Sequence, residues 1–278
     1  MLWTHSSLWL GLAATLVFTL LALTSLVWTP YPIDAIDIGS RFMGPSATHW
    51  LGTDNLGRDL ASLVMSGTLT SFVVAAVAVA IGGGIGVPLG LAAVAWGGPL
   101  EWLVLRFSDF VFAFPAVIVA ILITSLYGPG AINAIIAIGV LNIPIFARVA
   151  RGGAMSLTTL DFVAAARLAG LGNVAIAYRH LLPNILSLII VQGTIQLSLG
   201  ILAEAGLSYI GLGTQPPATS LGLMLREAQS VFLLHPWLTL VPGFCIVLIV
   251  IALNLAGDGL RDAIDPRLKA EGMQRHAA

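Results

Sequence analysis

The chain is divided by long stretches that contain almost no charged residues. A helix of about 20 apolar residues crosses the roughly 30 Å hydrocarbon core of a bilayer, because each residue adds about 1.5 Å. Backbone polar groups in lipid must bond within their own segment, which favours helices over irregular chain. The sequence therefore predicts an all-α integral membrane protein with six transmembrane helices, at about residues 9–28, 70–95, 102–126, 130–150, 185–212 and 238–257.

The composition excludes several classes of function. Only 9% of the 278 residues are charged, whereas a soluble domain carries about 25%. The net charge of −1 gives no indication of a nucleic-acid partner. The single cysteine, Cys245, excludes a disulfide within the chain and a metal site built from several cysteines. The five histidines are scattered, and no nucleophile stands beside a plausible base, so we predict no catalytic residue and no metal ligand.

The basic residues predict the orientation in the membrane. Cytoplasmic loops carry an excess of lysine and arginine. With a cytoplasmic N-terminus, only Arg41, Arg58 and Arg226 lie outside, and nine of the twelve basic residues lie inside. The first span is too long for the apolar region of a signal peptide, and no basic residue precedes it, which favours an uncleaved helix. We therefore expect both termini to be cytoplasmic. The nine inner residues are Arg106, Arg148, Arg151, Arg167, Arg179, Arg261, Arg267, Lys269 and Arg275.

We predict two parts in the chain. Residues 1–69 hold the first span and an extracytoplasmic segment. Residues 70–278 hold five spans, a cytoplasmic loop at 151–184 and a cytoplasmic C-terminal tail.

The first outer segment contains the stretch HWLGTDNLGRDLASLVMSG. Asp54 or Asn55 is expected to cap a short helix that runs through Arg58 and Asp59 into the second span, because short polar side chains accept from free N–H groups at a helix start. Arg58 and Asp59 either form pairs across an assembly or remain solvated charges at a helix start.

The second outer segment, residues 213–237, has apolar residues at helical spacing after Ser220, a favourable capping residue. We predict an amphipathic helix at the outer surface that carries Arg226 and Glu227. Together with Asp54, Arg58 and Asp59 it forms either an extracytoplasmic gate or a docking surface for a delivery protein. A plain re-entrant connector is the alternative.

Several polar residues fall inside predicted spans. Intramembrane carboxylates are costly and usually face protein or water. Asp109 and Glu204, with Gln192 and Gln196, either line a translocation pathway or join helices as structural partners. The alternative function that they suggest is a secondary transporter driven by an ion gradient, with Asp109 and Glu204 as its ion sites.

The second span repeats glycine at every fourth position, at Gly82, Gly86 and Gly90. This spacing lets two helices approach closely. No phosphate-binding loop is present: the one lysine, Lys269, is followed by alanine rather than by serine or threonine. Any nucleotide used by this protein is therefore expected to bind elsewhere.

The loop at 151–184 predicts two short helices. Thr158 or Thr159 is expected to cap the first, which begins near Asp161 and ends at Gly170. The second covers about 173–181 and leads to Pro183. A helix this short is marginal alone in water, so it either packs against a soluble partner or belongs to an ordinary cytoplasmic loop.

The same loop resembles the EAA loop of permease subunits in ATP-binding-cassette importers. That loop has the pattern EAA, three residues, glycine, nine residues, and Ile-x-Leu-Pro. Ala164, Ala165 and Ala166 stand at the EAA positions, Gly170 follows at the same spacing, and the segment ends with Pro183. Ala164 replaces the glutamate of the pattern. Other stretches, at 51–59, 113–115, 147–152, 201–213 and 257–267, are similar to the second permease of dipeptide, oligopeptide and nickel importers.

The resemblance implies a type I importer permease in the bacterial inner membrane that forms half of a translocation pathway for peptides or for nickel. It also implies a sister permease as heterodimer partner, two cytoplasmic subunits that bind ATP and Mg²⁺, and an extracytoplasmic solute-binding protein. Asp161 and Arg167 are expected to make polar contacts with the ATPase, while Ala165, Ala166 and Gly170 permit a close fit. This chain itself is expected to be a transport subunit without enzymatic activity, and Ala164 removes one acidic contact.

Overall fold

A computed structural model of the protein describes residues 2–264, with side chains from residue 8 to residue 263. The regular elements in this range are helices, which confirms the predicted all-α class. The C-terminal tail, with Arg267, Lys269 and Arg275, lies outside the described residues. The helices are α1 (Leu2–Thr24), α2 (Leu60–Trp96), α3 (Gly98–Phe112), α4 (Ala116–Tyr127), α5 (Ala131–Leu157), α6 (Asp161–Leu168), α7 (Asn173–Ile176), α8 (Leu182–Tyr209), α9 (Leu221–Ala228) and α10 (Trp237–Ile264).

Four helical segments in the described residues are long and apolar enough to cross a membrane: Leu60–Trp96, Ala131–Leu157, Asn173–Tyr209 and Trp237–Ala263. The predicted third span is not one straight helix, because α3 and α4 meet at 87°. The break coincides with Pro115, which lacks an N–H and disfavours helical geometry in the residue before it. The span predicted over 102–126 is therefore a bent pair of helices rather than a single helix. The first predicted span corresponds to α1, whose part with described side chains is a shorter apolar helix, Leu8–Thr24.

Helix α2 begins ten residues earlier than the predicted span because Asp59 caps it. The Asp59 carboxylate accepts from the Ser62 N–H and the Ser62 hydroxyl, both at 2.8 Å. The prediction of Asp54 or Asn55 as the cap is wrong. Gly57, at φ +78°, turns the chain between these residues and the helix, a conformation that glycine adopts without a steric cost.

The close approach of α2 to α5 confirms the predicted glycine contact. A Cβ atom on Gly82, Gly86 or Gly90 would overlap Asn142, Ile143 or Ala147 of α5, respectively. At the periphery, α1 packs on α10 in the same way, with Gly11 against Leu255 and Ala256.

Two buried apolar clusters lie at opposite ends of α2. The outer cluster, named for the predicted orientation, joins the start of α2 to α8, α9 and α10 through residues such as Leu60, Leu221 and Leu253. The inner cluster joins the later turns of α2 to α5, α6 and the start of α8, and it includes Leu91 and Val163. With 37 residues and a rise of about 1.5 Å per residue, α2 extends over about 55 Å. It therefore connects the two regions that contain the candidate functional residues.

Candidate functional site

Helix α6 is short and ends where the sequence predicts. It covers Asp161–Leu168, and Gly170 adopts φ +82°. The N–H of Leu171 donates to the Ala166 carbonyl at 3.1 Å, which closes the helix end around the left-handed glycine. The predicted threonine cap is wrong: Leu160 holds the cap position without a side-chain hydrogen bond, and the Thr158 hydroxyl donates to the Met155 carbonyl at 2.7 Å.

The two faces of α6 differ in environment. Val163 is fully buried and Ala166 is only 5% exposed, and both belong to the inner apolar cluster. Ala166 therefore packs α6 on the bundle, and its predicted place in a contact with a soluble partner is wrong. The opposite face is exposed. It carries Asp161, Ala164, Ala165, Arg167 and Leu168.

Leu168, an exposed leucine on this face, was not predicted from the sequence. The side chain of Leu168 is 90% exposed and stands beside the two small exposed alanines. A large apolar side chain at this exposure is typical of a partner surface when it lies in a group. The helical spacing of Ala164, Ala165 and Leu168 is the signal from which it was predictable.

The second predicted short helix is not separate from the fifth span. Helix α7 continues through a π-helical turn at Ala177–Leu181 into α8, so Asn173–Tyr209 forms one helical segment of 37 residues. Pro183 lies exposed in the turn that directly follows this π-helical turn. The loop at 151–184 is thus a short helix, α6, held between the ends of two long helices.

Two ion pairs join α3 to α5 near this loop. Arg148 pairs with Asp109, and its guanidinium lies 4.6 Å from the centre of the Phe112 ring. Arg151 donates to Glu101, with an Nε–Oε1 distance of 2.8 Å. Asp109 is therefore engaged as an arginine partner, which favours its structural interpretation over an ion-binding role.

At the outer end of α2, Arg58 lies between two carboxylates. Its Nε is 2.6 Å from Asp54 Oδ2, and its Nη2 is 2.7 Å from Glu227 Oε2 in α9. Asp59 pairs with His49 at 2.9 Å. Arg58 and Asp59 are therefore not simply solvated charges, because both have partners within the chain, while their pairing across an assembly stays a prediction.

Burial lowers the pKa of the Arg58 guanidinium, but the carboxylates of Glu227 and Asp54 more than offset this effect, so that its pKa is raised. A raised pKa means that the stability which Arg58 gains from these partners is fully present at neutral pH and is lost only as the pH rises through the raised value. Arg58 thus joins the first outer segment to α9 across the whole physiological pH range.

Helix α9 forms as predicted, with Ser220 as its cap. The Ser220 hydroxyl accepts from the Leu223 N–H at 3.2 Å. Two glycines bring α9 against the bundle: Gly222 contacts the Ala205 backbone of α8, and a Cβ on Gly67 of α2 would lie 3.1 Å from the Ser220 carbonyl carbon. The neighbouring Arg226 is exposed, and its guanidinium lies against Gly211.

We expect the Arg58→Gln substitution to lower the free energy of unfolding by about 2 kcal/mol. Removing one member of a buried pair costs about 3–5 kcal/mol, and the 27% exposure of the Glu227 side chain reduces that cost. The double variant Arg58→Gln/Glu227→Gln should recover part of the loss. Thermal unfolding of the purified permease complex measures the double-mutant cycle of these two residues. A loss in the double variant equal to the sum of the two single losses would contradict a direct interaction.

The remaining polar residues inside spans differ in burial. Gln196 is 6% exposed and Gln192 is half-buried. Glu204 is fully buried and accepts from the hydroxyl groups of Ser71, Ser208 and Thr214. These neutral donors bind both carboxylate oxygens, which favours a structural role over the predicted alternative of an ion site.

Residues 82–270 match the family described as "Binding-protein-dependent transport system inner membrane component". The glutathione transport system permease protein GsiD of Pectobacterium atrosepticum is 39% identical over 259 residues, which cover 91% of this chain and 86% of the relative. The dipeptide transport system permease protein DppC of Alkalihalophilus pseudofirmus is 39% identical over 260 residues, which cover 94% and 86%.

Two solved structures of the MetNI methionine ABC transporter in inward-facing conformations share the fold. Their TM-scores are 0.60 and 0.61 at 20% and 21% identity. The similarity covers 72% and 73% of this chain and 94% and 96% of theirs. The chain therefore shares a known transporter fold.

Proposed function

Because the chain belongs to the family of binding-protein-dependent transport system inner membrane components, we propose that it forms half of a translocation pathway for short peptides. It is a permease subunit of an ATP-binding-cassette importer. The other half of the pathway is a sister permease in the same bacterial inner membrane, and both termini of this chain lie on the cytoplasmic side.

The surface of α6 is the observation that supports an ATPase partner. Val163 and Ala166 pack on the bundle, so the helix presents Ala164, Ala165 and Leu168 outward. Two small side chains let a partner approach the backbone closely, and the exposed leucine offers apolar area to bury. We propose that two cytoplasmic subunits, which bind ATP and Mg²⁺, each dock on such a helix in one permease of the pair.

Two charged side chains on this surface set the orientation in which the ATPase docks. Asp161 lies in the first turn of α6 and Arg167 in its last turn, positions that suit the helix dipole. In the proposal, both bind polar groups of the ATPase. Ala164, where related permeases carry glutamate, leaves that edge of the contact apolar.

The proposed cycle uses α2 as the connection between the two ends. ATP binding closes the two ATPases and draws the 159–172 segments of the permeases together. The inner ends of α2 and α8 move with α6, since Leu91, Val163 and Ile176 share one apolar cluster. The outer ends then open toward the loaded binding protein, and ATP hydrolysis resets the complex.

The outer surface is the proposed site of contact with the solute-binding protein. Helix α9 is fixed on the bundle by Gly222 and by the Arg58–Glu227 pair. Arg226 is exposed at this surface, close to the loop that precedes α9. In the proposal α9 and its neighbours Asp54, Arg58, Asp59 and Glu227 form the outer gate.

Peptides are the proposed substrates because two relatives that align with more than 90% of this chain are named for glutathione and dipeptide transport. Uptake of labelled glutathione, dipeptides and Ni²⁺ into proteoliposomes that contain the complete complex and its binding protein tests this assignment. We expect uptake of at least one of the two peptide classes. Uptake of Ni²⁺ alone would overturn the peptide assignment while leaving the importer mechanism intact.

A further inference from the structure

Glu204 is a fully buried carboxylate in the outer half of α8. Burying a charge is costly unless it is paired or hydrogen-bonded. Its carboxylate accepts from three hydroxyl groups, those of Ser71, Ser208 and Thr214. The positions of these three hydroxyl groups show which parts of the chain the carboxylate holds together.

The three donors come from three different segments. Ser71 belongs to α2, and its hydroxyl donates to Oε2 at 2.7 Å. Ser208 belongs to the last turn of α8, and its hydroxyl donates to Oε1 at 2.6 Å. Thr214 belongs to the loop after α8, and its hydroxyl donates to Oε1 at 3.3 Å. One side chain thus joins two spans to a loop.

The loop is bound twice to this group. The Thr214 N–H donates to the Ser208 hydroxyl oxygen at 2.9 Å, and that hydroxyl donates in turn to Glu204. Gly211, at φ +88°, reverses the chain so that Thr214 reaches back to the end of α8. Gly213 lies directly against Ser208, where a side chain would overlap the Ser208 hydroxyl.

The same loop leads into α9. It ends at Ser220, which caps α9, and Gly222 then packs on Ala205, the residue next to Glu204. The start of α9 is therefore held on α8 by the packing of Gly222, and the loop before it is held by the carboxylate of Glu204.

We propose that Glu204 is a positioning residue that holds the loop at 210–220 and thereby keeps α9 closed on the outer ends of α2 and α8. This inference rests on the proposed role of α9 as the outer gate. It assigns the buried carboxylate to the gate itself rather than to the binding of a transported ion. Loss of the carboxylate frees the loop and raises the fraction of time that α9 is detached.

A buried cysteine on α9 measures this detachment. Ala228 is 5% exposed and lines a small pocket together with Leu60 and Met224, and cysteine adds only one atom to its side chain. In a Cys245→Ala background, Ala228→Cys is treated in intact cells with a membrane-impermeant maleimide. We expect Glu204→Ala to raise the labelling rate about tenfold, the effect of losing about one hydrogen bond to a charged group, and Glu204→Gln to raise it less.

The matched control is Ser198→Ala. Ser198 is a buried serine on the same helix whose hydroxyl lies 2.9 Å from Asn254 Oδ1 in α10, away from the loop. We expect this variant to leave the labelling rate unchanged. If Glu204→Ala does not assemble, Thr214→Val removes the loop hydroxyl at nearly constant shape and should raise the rate by severalfold.

An unchanged rate in Glu204→Ala and Thr214→Val overturns the proposal, as does an equal rise in Ser198→Ala. The ATP dependence of uptake by the unmodified complex is measured in parallel. Its absence would refute the proposed importer function, whereas unchanged labelling with intact ATP-driven uptake would refute only the role of Glu204.

Discussion

The Ala165→Trp variant is expected to lose at least about nine-tenths of ATP-driven transport while its membrane abundance stays normal. Ala165 is exposed on α6 and touches none of the buried clusters, so the permease tolerates a large side chain there. At a closely fitted interface, overpacking costs about 1–3 kcal/mol, and about 1.4 kcal/mol is a tenfold loss of affinity. Co-purification of the ATPase with the tagged permease and uptake in proteoliposomes measure the effect.

The adjacent residue provides a matched comparison. Ala166→Trp places the same side chain on the buried face, against the inner apolar cluster. It should lower the abundance of the folded permease itself, whether or not the ATPase binds. Normal ATPase binding and transport by Ala165→Trp would show that this face of α6 does not dock the ATPase.

The Gly86→Leu variant is expected to prevent stable folding of the permease. A Cβ atom at this position would overlap the Ile143 carbonyl oxygen and lie 2.8 Å from the Phe146 Cβ, so α2 and α5 must separate to admit it. Overpacking of a well-packed interior costs about 1–3 kcal/mol and occasionally more, and here a backbone contact is lost along with the packing. The measurements are the yield of monodisperse protein in mild detergent and its unfolding temperature.

Gly84→Leu is the control in the same helix, two residues away. A Cβ at Gly84 meets no atom within 4 Å, so the helix contact survives and the yield of folded protein should remain near that of the unmodified chain. Equal losses in the two variants would contradict packing of α5 on one glycine face of α2 and would point to a general intolerance of α2 to substitution.

The class of fold was predictable because the membrane imposes it. Lengths of about 20 apolar residues and the need to satisfy every backbone group leave helices as the solution. The glycine contact of α2 was also predictable, since a repeat at Gly82, Gly86 and Gly90 marks one helix face. The break between α3 and α4 was missed because apolar composition alone continues through Pro115, and only the backbone shows a turn of 87°.

The candidate sites were predicted less completely. The Ser220 cap and the turn at Gly170 were predicted correctly. The caps of α2 and α6 were not, because short polar residues near a helix start do not show which of them, if any, accepts from its N–H groups. The pairing of Arg58 with Glu227 was not predictable, because the two residues lie 169 positions apart in sequence. That Ala166 faces the bundle was missed for a similar reason, because three consecutive alanines do not show which side of a helix is buried. Only the structure places Ala166 in one cluster with Val163 and Leu181.

The most direct test of the importer mechanism is uptake by proteoliposomes that contain this chain, its sister permease and the two ATPases. We predict that substrate enters only when ATP and the loaded binding protein are both present, and that dissipating ion gradients with ionophores leaves the rate unchanged. Uptake without ATP that follows an imposed ion gradient, and that is lost in Glu204→Gln, would contradict the account.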